Sequence, residues 1–188
     1  MISIENISFS YGEKKVLDSF SLKIGKSSRI CIFGESGCGK TTLLRLILGL
    51  EKPQSGIIKR DGALNPSAVF QENRLLPFKT VLQNITLIGS DEKTALSHLT
   101  ALGLEAAADS LPAELSGGMQ RRAAIARALS ADYDYLVLDE PFTGLDEENT
   151  LYAARHISQS VSDRALILVT HSKKEAGMLG AEIIDIKR

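Results

Sequence analysis

The segment GESGCGKTT, residues 34–42, constrains the fold of this chain more than any other feature. It fits the pattern G-x-x-x-x-G-K-[ST], whose last three positions are Gly39, Lys40 and Thr41. An apolar run at residues 30–33 precedes it, and the segment LLRLILGL follows it with apolar residues at helical spacing. A glycine-rich loop between a buried strand and a helix is the context of a phosphate-binding loop, so we predict that the chain binds a nucleotide by its phosphates.

The residue types in this loop suit an anionic ligand. Its three glycines permit tight turns with backbone N–H groups pointing inward, and the N-terminus of the following helix adds further donors. Lys40 adds a positive charge for the β- and γ-phosphates, and the Thr41 hydroxyl can ligate Mg²⁺. The predicted nucleotide-binding residues of the loop are Gly34, Glu35, Ser36, Gly37, Cys38, Gly39, Lys40, Thr41 and Thr42. The loop alone does not separate kinases, GTPases and motor ATPases.

Length and charge narrow the class of protein further. The 188 residues predict one domain, or one domain with a small subdomain, and 44% of them are hydrophobic, enough for a core. With 22 basic and 23 acidic residues, the net charge of -1 gives no basic excess to favour nucleic-acid binding. The two cysteines do not suggest a disulfide framework, and we find neither a membrane span nor a signal peptide. We therefore expect a reduced, cytosolic setting.

Hydrophobic periodicity predicts the order of the elements. Alternating apolar residues indicate two antiparallel strands before the loop, at residues 2–9, with a slip at Asn6, and at residues 16–24. Tyr11 in the turn between them is compatible with two roles, stacking on a nucleotide base or capping the hairpin at the surface. Helical spacing at residues 80–111 indicates a small helical insertion between parts of an α/β core.

Two polar segments are candidate ligand sites, although each also has a structural interpretation. Ser116, Gly117 and Gly118 precede a strong helical pattern, and they form either a second anion site, by the physics of the first, or an ordinary helix N-cap. Gln71 follows a short predicted strand, where its side chain meets either a metal-bound water or a backbone group. The local sequence does not choose between these alternatives.

Two continuous apolar runs predict central parallel strands, at residues 135–138 and 165–169. The first ends in Asp139 and Glu140, and the carboxyl ends of strands are where α/β sheets bind ligands. Asp139 is suited to hold Mg²⁺ through water, and Glu140 is suited to accept a proton from an attacking water. His171 follows the second run in the same row, where a lone histidine is also compatible with a structural role.

Taken together, the segments from Tyr11 to His171 resemble the ATP-binding subunit of an ABC transporter. The family's motifs occur in its order: Walker A, glutamine loop, LSGG signature, Walker B with a following glutamate, D-loop and switch histidine. The resemblance covers nearly the whole chain. It implies an α/β fold with a P-loop NTPase (RecA-like) core, an N-terminal antiparallel β subdomain and a small α-helical subdomain at about residues 78–115. All of these would lie within a single ABC ATPase domain at residues 1–188.

The resemblance also implies roles for the residues that match. Tyr11 takes the position of an aromatic residue that stacks on adenine. Ser116, Gly117 and Gly118 take the position of groups that contact the γ-phosphate of ATP on a second subunit, so the implied working unit is a head-to-tail dimer. The implied catalytic residues are Lys40, Glu140 as the base and His171 as the switch residue, and the implied Mg²⁺ site comprises Thr41, Gln71 and Asp139.

On this resemblance the chain is an ATPase that uses ATP and Mg²⁺ to drive transport through membrane permease subunits. Around Gln71 the sequence FQENRLLPFKTVLQNI, with Met119 after LSGG, is similar to importer ATPases of the nitrate, sulfonate, taurine and pyrimidine-precursor group. The expected partners are permease subunits, a second ATPase subunit (an identical or a paired chain) and a substrate-binding protein, with no nucleic acid. The expected location is cytoplasmic, peripheral on the inner face of the cell membrane.

The main alternative is a non-transport ABC ATPase that acts on nucleic acid or another protein complex. Its DNA-acting members carry a long coiled coil or large extra domains between Walker A and the signature, where this chain has only the small helical insertion. The LSGG segment and Glu140 argue against a third interpretation, a small-molecule kinase that shares only the phosphate loop. Three residues depart from the family pattern. Arg121 replaces a usual glutamine, so we expect the surface of the helix after LSGG to differ. Phe78 replaces a usual tryptophan, and Ser172 follows His171 where aspartate is common. Little sequence follows Ile186, so we expect no C-terminal regulatory domain.

Overall fold

A computed structural model describes residues 1–186, which form two β-sheets and the helices packed against them. The strands are β1 (Ile2–Tyr11), β2 (Lys14–Ile24), β3 (Arg29–Phe33), β4 (Ser55–Arg60), β5 (Pro66–Val69), β6 (Tyr135–Asp139), β7 (Ala165–Val169) and β8 (Glu182–Asp185). The α-helices are α1 (Lys40–Ile47), α2 (Val81–Thr86), α3 (Glu92–Ala101), α4 (Gly117–Ser130), α5 (Glu147–Val161) and α6 (Lys173–Met178). Short 3₁₀ helices at Glu105–Ala107 and Pro112–Glu114 lie between α3 and α4.

The central sheet has five parallel strands in the order β5-β6-β7-β3-β8. Every residue of β6 and β7 is buried, because side chains pack on both faces of the sheet, and this explains the continuous apolar runs. In β6, Leu136 and Leu138 belong to one hydrophobic cluster, and Tyr135 and Val137 belong to the other. The predicted parallel core is therefore present, and the segments that follow β3, β5, β6 and β7 meet at one edge of it.

The N-terminal sheet is antiparallel, with β1 between β2 and β4. Both strands predicted before the phosphate loop are present, and β4 adds a third. The predicted slip at Asn6 is a β-bulge: its φ is 49°, and the β1–β2 register shifts between Ile4 and Ile7. Asparagine enters this left-handed region more readily than most residues do, so the sequence suits the irregularity.

The predicted helical insertion is present between β5 and α4. Thr80 is the N-cap of α2 and forms a capping box with Gln83. The Thr80 hydroxyl accepts from Gln83 N, and Thr80 N donates to the Gln83 side chain. Val81 N donates to Ser110 O at 2.9 Å, which closes the segment on itself. None of the helices in residues 1–186 is long and apolar enough to cross a membrane.

Leu168→Ala should lower the free energy of unfolding by about 2–5 kcal/mol, because Leu168 in β7 is 0% exposed and its loss leaves a cavity in the core. Leu151→Ala on α5 is the matched control, since Leu151 is 51% exposed and its truncation should change stability by less than about 0.5 kcal/mol. Urea denaturation measures both values. Equal losses would contradict the central position of β7.

Candidate nucleotide site

A cavity of about 280 Å³ opens at the carboxyl edge of the parallel sheet. Its walls come from the loop after β3, from the ends of β6 and β7, from the segment after β5 and from the β1–β2 hairpin. The residues lining it are Tyr11, Lys14, Val16, Ser36, Gly37, Gly39, Lys40, Thr41, Thr42, Gln71, Asp139, Glu140 and Val169. Most residues predicted to bind nucleotide therefore lie together, although they come from distant parts of the chain.

The loop after β3 has the shape of an anion cradle. Gly39 precedes α1 with φ 105°, and no side chain within residues 1–186 caps this helix, so its first N–H groups stay available. A Cβ on Gly39 would lie 2.8 Å from Val16 Cγ1, so only glycine fits there without strain. The Lys40 ammonium donates to the carbonyl oxygens of Gly34 and Glu35, each at 2.8 Å, which leaves one of its three protons for a phosphate oxygen.

Three predicted members of the loop lie outside this cavity. Gly34, Glu35 and Cys38 line a neighbouring cavity of about 450 Å³, and Ser36 lines both. Gly34 and Glu35 take part in the first cavity through their carbonyl groups, which hold Lys40. The motif did not separate these positions because it specifies the shape of the backbone more than it specifies side-chain contacts.

Asp139 at the end of β6 is a buried carboxylate, 3% exposed. One of its oxygens accepts from Thr41 Oγ1 at 3.2 Å. Burial raises the pKa of Asp139 above its ordinary value and Glu140 raises it further, whereas the Thr41 hydrogen bond lowers it. A carboxylate and a hydroxyl side by side are hard oxygen ligands of the kind that Mg²⁺ binds.

Glu140 lines the cavity and contacts His171, which is 31 residues away in sequence and is not among the lining residues. Glu140 N donates to Val169 O at 2.9 Å, which ties the turn after β6 to the end of β7. His171 Nδ1 lies 3.2 Å from both carboxylate oxygens of Glu140, and its side chain is 78% exposed. Glu140 has φ 49°, a left-handed conformation that costs about 1–2 kcal/mol and occurs mainly where function or packing enforces it.

The β1–β2 hairpin forms another part of the wall. Tyr11 is 49% exposed, and its ring meets Phe9 edge to face at a centroid distance of 5.0 Å, so it is held at the cavity. Lys14 and Val16 line the same cavity, and the sequence interpretation missed both. Lys14 pairs with Tyr11 across the hairpin, and that pairing is the signal that could have placed Lys14 beside it.

The signature residues line a separate cavity of about 690 Å³. Its lining residues are Gln71, Asn73, Ser116, Gly117, Gly118, Met119, Arg121, Arg122, Thr143, Gly144, Leu145, Asp146 and Asn149. Ser116 Oγ accepts from Met119 N at 3.2 Å, so this serine is the N-cap of α4. The N-cap alternative for Ser116 is therefore confirmed. The same helix end lines an open cavity, and a second anion site there stays a prediction.

The expectation that Arg121 alters the surface of the helix after LSGG is wrong. Its side chain is only 2% exposed, because this face of α4 packs against the Gln71 loop and the turn after β6. The guanidinium donates to Pro141 O at 3.0 Å and to Gln71 O at 3.3 Å. Burial lowers the pKa of Arg121, and the carboxylates of Asp139 and Glu140 oppose that shift.

Comparison with known proteins decides the family. Residues 17–143, more than half of the chain, match the family described as ABC transporter. The chain belongs to the ABC transporter family. Its relatives include the aliphatic sulfonates import ATP-binding protein SsuB 1 of Paraburkholderia xenovorans, 40% identical over 99% of this chain and 57% of the relative. SsuB of Burkholderia pseudomallei is 41% identical over 99% of this chain and 59% of the relative. This ABC family chain thus spans 57% of the length of the first relative and 59% of the length of the second.

Two solved structures of the ATP-binding cassette MJ0796 share the fold. The dimeric post-hydrolysis structure bound to ADP and Pi has a TM-score of 0.89 and 28% identity, covering 100% of this chain and 94% of that one. The dimeric structure described as a bacterial ABC transporter cassette has a TM-score of 0.87 and 29% identity, covering 98% and 94%. The predicted P-loop NTPase α/β fold of this ABC family chain is confirmed, and so is its resemblance to ATP-binding subunits of the sulfonate group.

In this ABC family chain, Gly39→Ala should lower the free energy of unfolding by about 1–2 kcal/mol, because alanine would be left-handed there and would crowd Val16. Gly117→Ala is the matched control. Its Cβ would meet no heavy atom of residues 1–186 within 4 Å, beyond its own helix and chain neighbours, so it should be neutral or stabilise by up to about 1 kcal/mol. Urea denaturation without nucleotide measures both, and equal effects would contradict the cradle geometry.

Asp139→Asn should stabilise the nucleotide-free protein at neutral pH, and the gain should vanish in acid. Because the pKa of Asp139 is raised in the folded chain, the unfolded chain loses this proton at a lower pH than the folded chain does. The free energy of unfolding therefore falls as the pH rises from the unfolded pKa to the folded pKa. Asparagine cannot ionise, so the variant avoids this loss. Urea denaturation at about pH 7 and about pH 3, on either side of the ordinary aspartate pKa, measures the difference. Asp132→Asn, at an exposed position, is the control, and a gain independent of pH would contradict the assignment.

Proposed function

We propose that this chain is the ATP-hydrolysing motor subunit of an ABC importer. It binds and hydrolyses ATP in a head-to-tail dimer and so drives transport by membrane permease subunits. The division of the site carries the proposal: the phosphate loop, Asp139 and Glu140 line one cavity, and the signature residues line another. His171 contacts Glu140 beside the first cavity. One chain thus supplies two different parts of a nucleotide site, as two chains arranged head to tail require.

The residues of the first cavity fit ATP with Mg²⁺. The N–H groups at the start of α1 and the Lys40 ammonium suit the phosphates, and Tyr11 suits stacking on adenine. Thr41, Gln71 and Asp139 line the same cavity and would hold Mg²⁺. When bound, Mg²⁺ neutralises charge on the phosphates.

Glu140 suits the role of general base, because its carboxylate faces the cavity and can accept a proton from the water that attacks the γ-phosphate. His171 holds that carboxylate at 3.2 Å and is exposed enough to reach the γ-phosphate as well. The Lys40 ammonium offsets charge that develops on the transferred group. Catalysis is then mainly positioning and charge neutralisation.

The second cavity supports a head-to-tail dimer in which the signature of one chain serves the nucleotide of the other. Among residues 1–186, those lining the phosphate cavity do not include Ser116, Gly117 or Gly118, so the signature does not serve the nucleotide of its own chain. Placed against a second chain, the start of α4 would offer its N–H groups and the Ser116 hydroxyl to the γ-phosphate held there. The solved cassette MJ0796, described as dimeric and bound to ADP and Pi, supports the pairing of two chains.

The segment after Gln71 supports docking to permease subunits. Leu76 and Phe78 are 48% and 90% exposed, respectively, although both are large and apolar. Their turn is rigid, because the buried Asn84 side chain accepts from Leu76 N at 2.7 Å and donates to Lys79 O at 3.0 Å. Exposed apolar side chains on a fixed turn suit a permanent protein partner.

We extend the proposal to the assembly around the chain. Residues 1–188 act as a single ABC ATPase domain with residues 78–115 as its helical subdomain, peripheral on the cytoplasmic face of the cell membrane. The relatives named as import proteins for aliphatic sulfonates support import, and they make these sulfonates, with a substrate-binding protein, the first substrate class to test. Salt-dependent DNA binding by the chain would instead favour the non-transport alternative.

Glu140→Gln should convert the monomer into a dimer only when Mg-ATP is present. Glutamine keeps the shape of the side chain but cannot take the proton, so ATP should bind and remain unhydrolysed. Light scattering with and without Mg-ATP measures the mass in solution. A Glu140→Gln chain that does not bind ATP would refute the proposed motor.

Two second-site variants sharpen this test. Ser116→Arg, added to Glu140→Gln, fills the signature cavity and leaves the phosphate loop untouched, so ATP should still bind but the dimer should be lost. Lys40→Ala in the same background should abolish both ATP binding and the dimer. An ATP-dependent dimer that survives Ser116→Arg would contradict the head-to-tail arrangement.

A further inference from the structure

Arg121 on α4 is buried among backbone carbonyl groups, with 2% of its surface exposed. Its three guanidinium nitrogens lie within hydrogen-bonding distance of six oxygen atoms, those of the Phe70, Gln71, Asp139, Glu140 and Pro141 carbonyls and of the Asn73 side chain. Because the guanidinium has five N–H protons, Nη1 shares its two among three of these oxygens. A buried guanidinium is stable only when its N–H groups are paired. Each of the three nitrogens has at least one partner here, so the cation and the backbone around it hold each other in place.

The guanidinium joins two segments that flank the nucleotide cavity. On one side, Nη1 donates to Phe70 O and to Gln71 O, in the loop after β5. On the other side, Nη2 lies 2.5 Å from both Asp139 O and Glu140 O, and Nε lies 3.0 Å from Pro141 O. The turn after β6 therefore presents three successive carbonyl groups to one cation.

Each of these segments contains a non-glycine residue in the left-handed region, Glu140 with φ 49° and Arg74 with φ 48°. Such conformations persist only where the surrounding contacts enforce them. The carbonyl of Glu140 accepts from Arg121, and the carbonyl of Arg74 accepts from Arg127 Nη1 at 2.7 Å. Arginines of α4 thus hold both strained backbones.

We propose that Arg121 is a positioning residue that links the LSGG end of α4 to Gln71 and Glu140, so that all three respond together when a second chain's nucleotide engages Ser116. The inference rests on the proposed function, because it presupposes that Glu140 and Gln71 act on ATP. Arg121 touches no reacting atom. It acts through the backbone of the turn that carries the Glu140 carboxylate and through the backbone of the Gln71 loop.

Arg127 provides a matched control on the same helix. Its guanidinium donates to Asn73 O at 3.0 Å and to Arg74 O at 2.7 Å, so it holds the Gln71 loop but not the turn after β6. Arg127→Gln should therefore loosen the loop alone, whereas Arg121→Gln should loosen both segments. Glutamine keeps a polar group, but its two amide protons sit on one nitrogen and cannot span the two segments.

Two measurements on the nucleotide-free protein distinguish the segments. Hydrogen exchange at the Glu140 and Thr143 amides reports on the turn, since these donate to Val169 O and Glu140 O. Tryptic cleavage after Arg74 reports on the loop. We expect Arg121→Gln to raise the rates of exchange and of cleavage about tenfold, because a left-handed residue that is no longer held gives up about 1–2 kcal/mol of strain when its segment opens. Arg127→Gln should raise only the rate of cleavage. Urea denaturation of each variant gives the part that global unfolding contributes.

ATP hydrolysis supplies a third readout. Arg121→Gln should lower kcat about tenfold and leave KM for Mg-ATP within about threefold, because the phosphate loop is untouched. Arg121→Lys should restore protection in at most one segment, since a single ammonium cannot replace the guanidinium fork. If Arg121 were only structural, Arg121→Gln would lower stability but would not lower kcat at a nearly unchanged KM.

The proposal is overturned if exchange at Glu140 and Thr143 is unchanged in Arg121→Gln, or if Arg127→Gln raises it equally. A rise that merely follows the loss of global stability would overturn it as well. Exchange and cleavage need no ATP, so they test this linkage even if the chain hydrolyses none. Failure of the unmodified chain to bind ATP would refute the proposed function while leaving these two measurements interpretable.

Discussion

The parallel register between β6 and β7 is the constraint on which the catalytic edge depends. Asp139 pairs with Val169, and Glu140 N donates to Val169 O, so the residues beyond the two strands emerge side by side. His171 reaches Glu140 for this reason. Both strands are buried at every residue, and a slip by one would exchange the side chains of the two hydrophobic clusters, so the core itself fixes the geometry of the site.

Helix α4 is the second organising element, because its arginines bind backbone carbonyls of three different segments. Arg122 Nη1 donates to Leu102 O at 2.6 Å at the end of α3, Arg127 holds the loop after β5, and Arg121 holds that loop and the turn after β6. The charge-assisted hydrogen bonds of Arg121 are the most buried of these and therefore the most expensive to break. The helix that begins with LSGG therefore connects the helical insertion, the Gln71 loop and the Glu140 turn, which are separate in sequence.

Much of the fold was predictable, because its signals are local. The continuous apolar runs predicted β6 and β7, alternation predicted β1 and β2, and the glycine-rich pattern predicted the loop before α1. The site was predictable less completely. Lys14 lies in the cavity wall through a cross-strand pair, and Cys38 lies outside that wall although it belongs to the motif. Arg121 was predicted to alter a surface, since a charged residue on a helix is usually exposed and only the packing of α4 shows otherwise.

By itself the sequence determined the family, the order of the elements and the residue types available for chemistry, since each of these depends on spacing within short segments. Only the tertiary structure decided which of these residues meet. The contact between Glu140 and His171, the burial of Arg121 and the separation of the signature from the phosphate loop depend on strand register and on which face of a helix packs inward. Register and helix packing arise from contacts between distant segments, so the pattern within one segment does not by itself specify them.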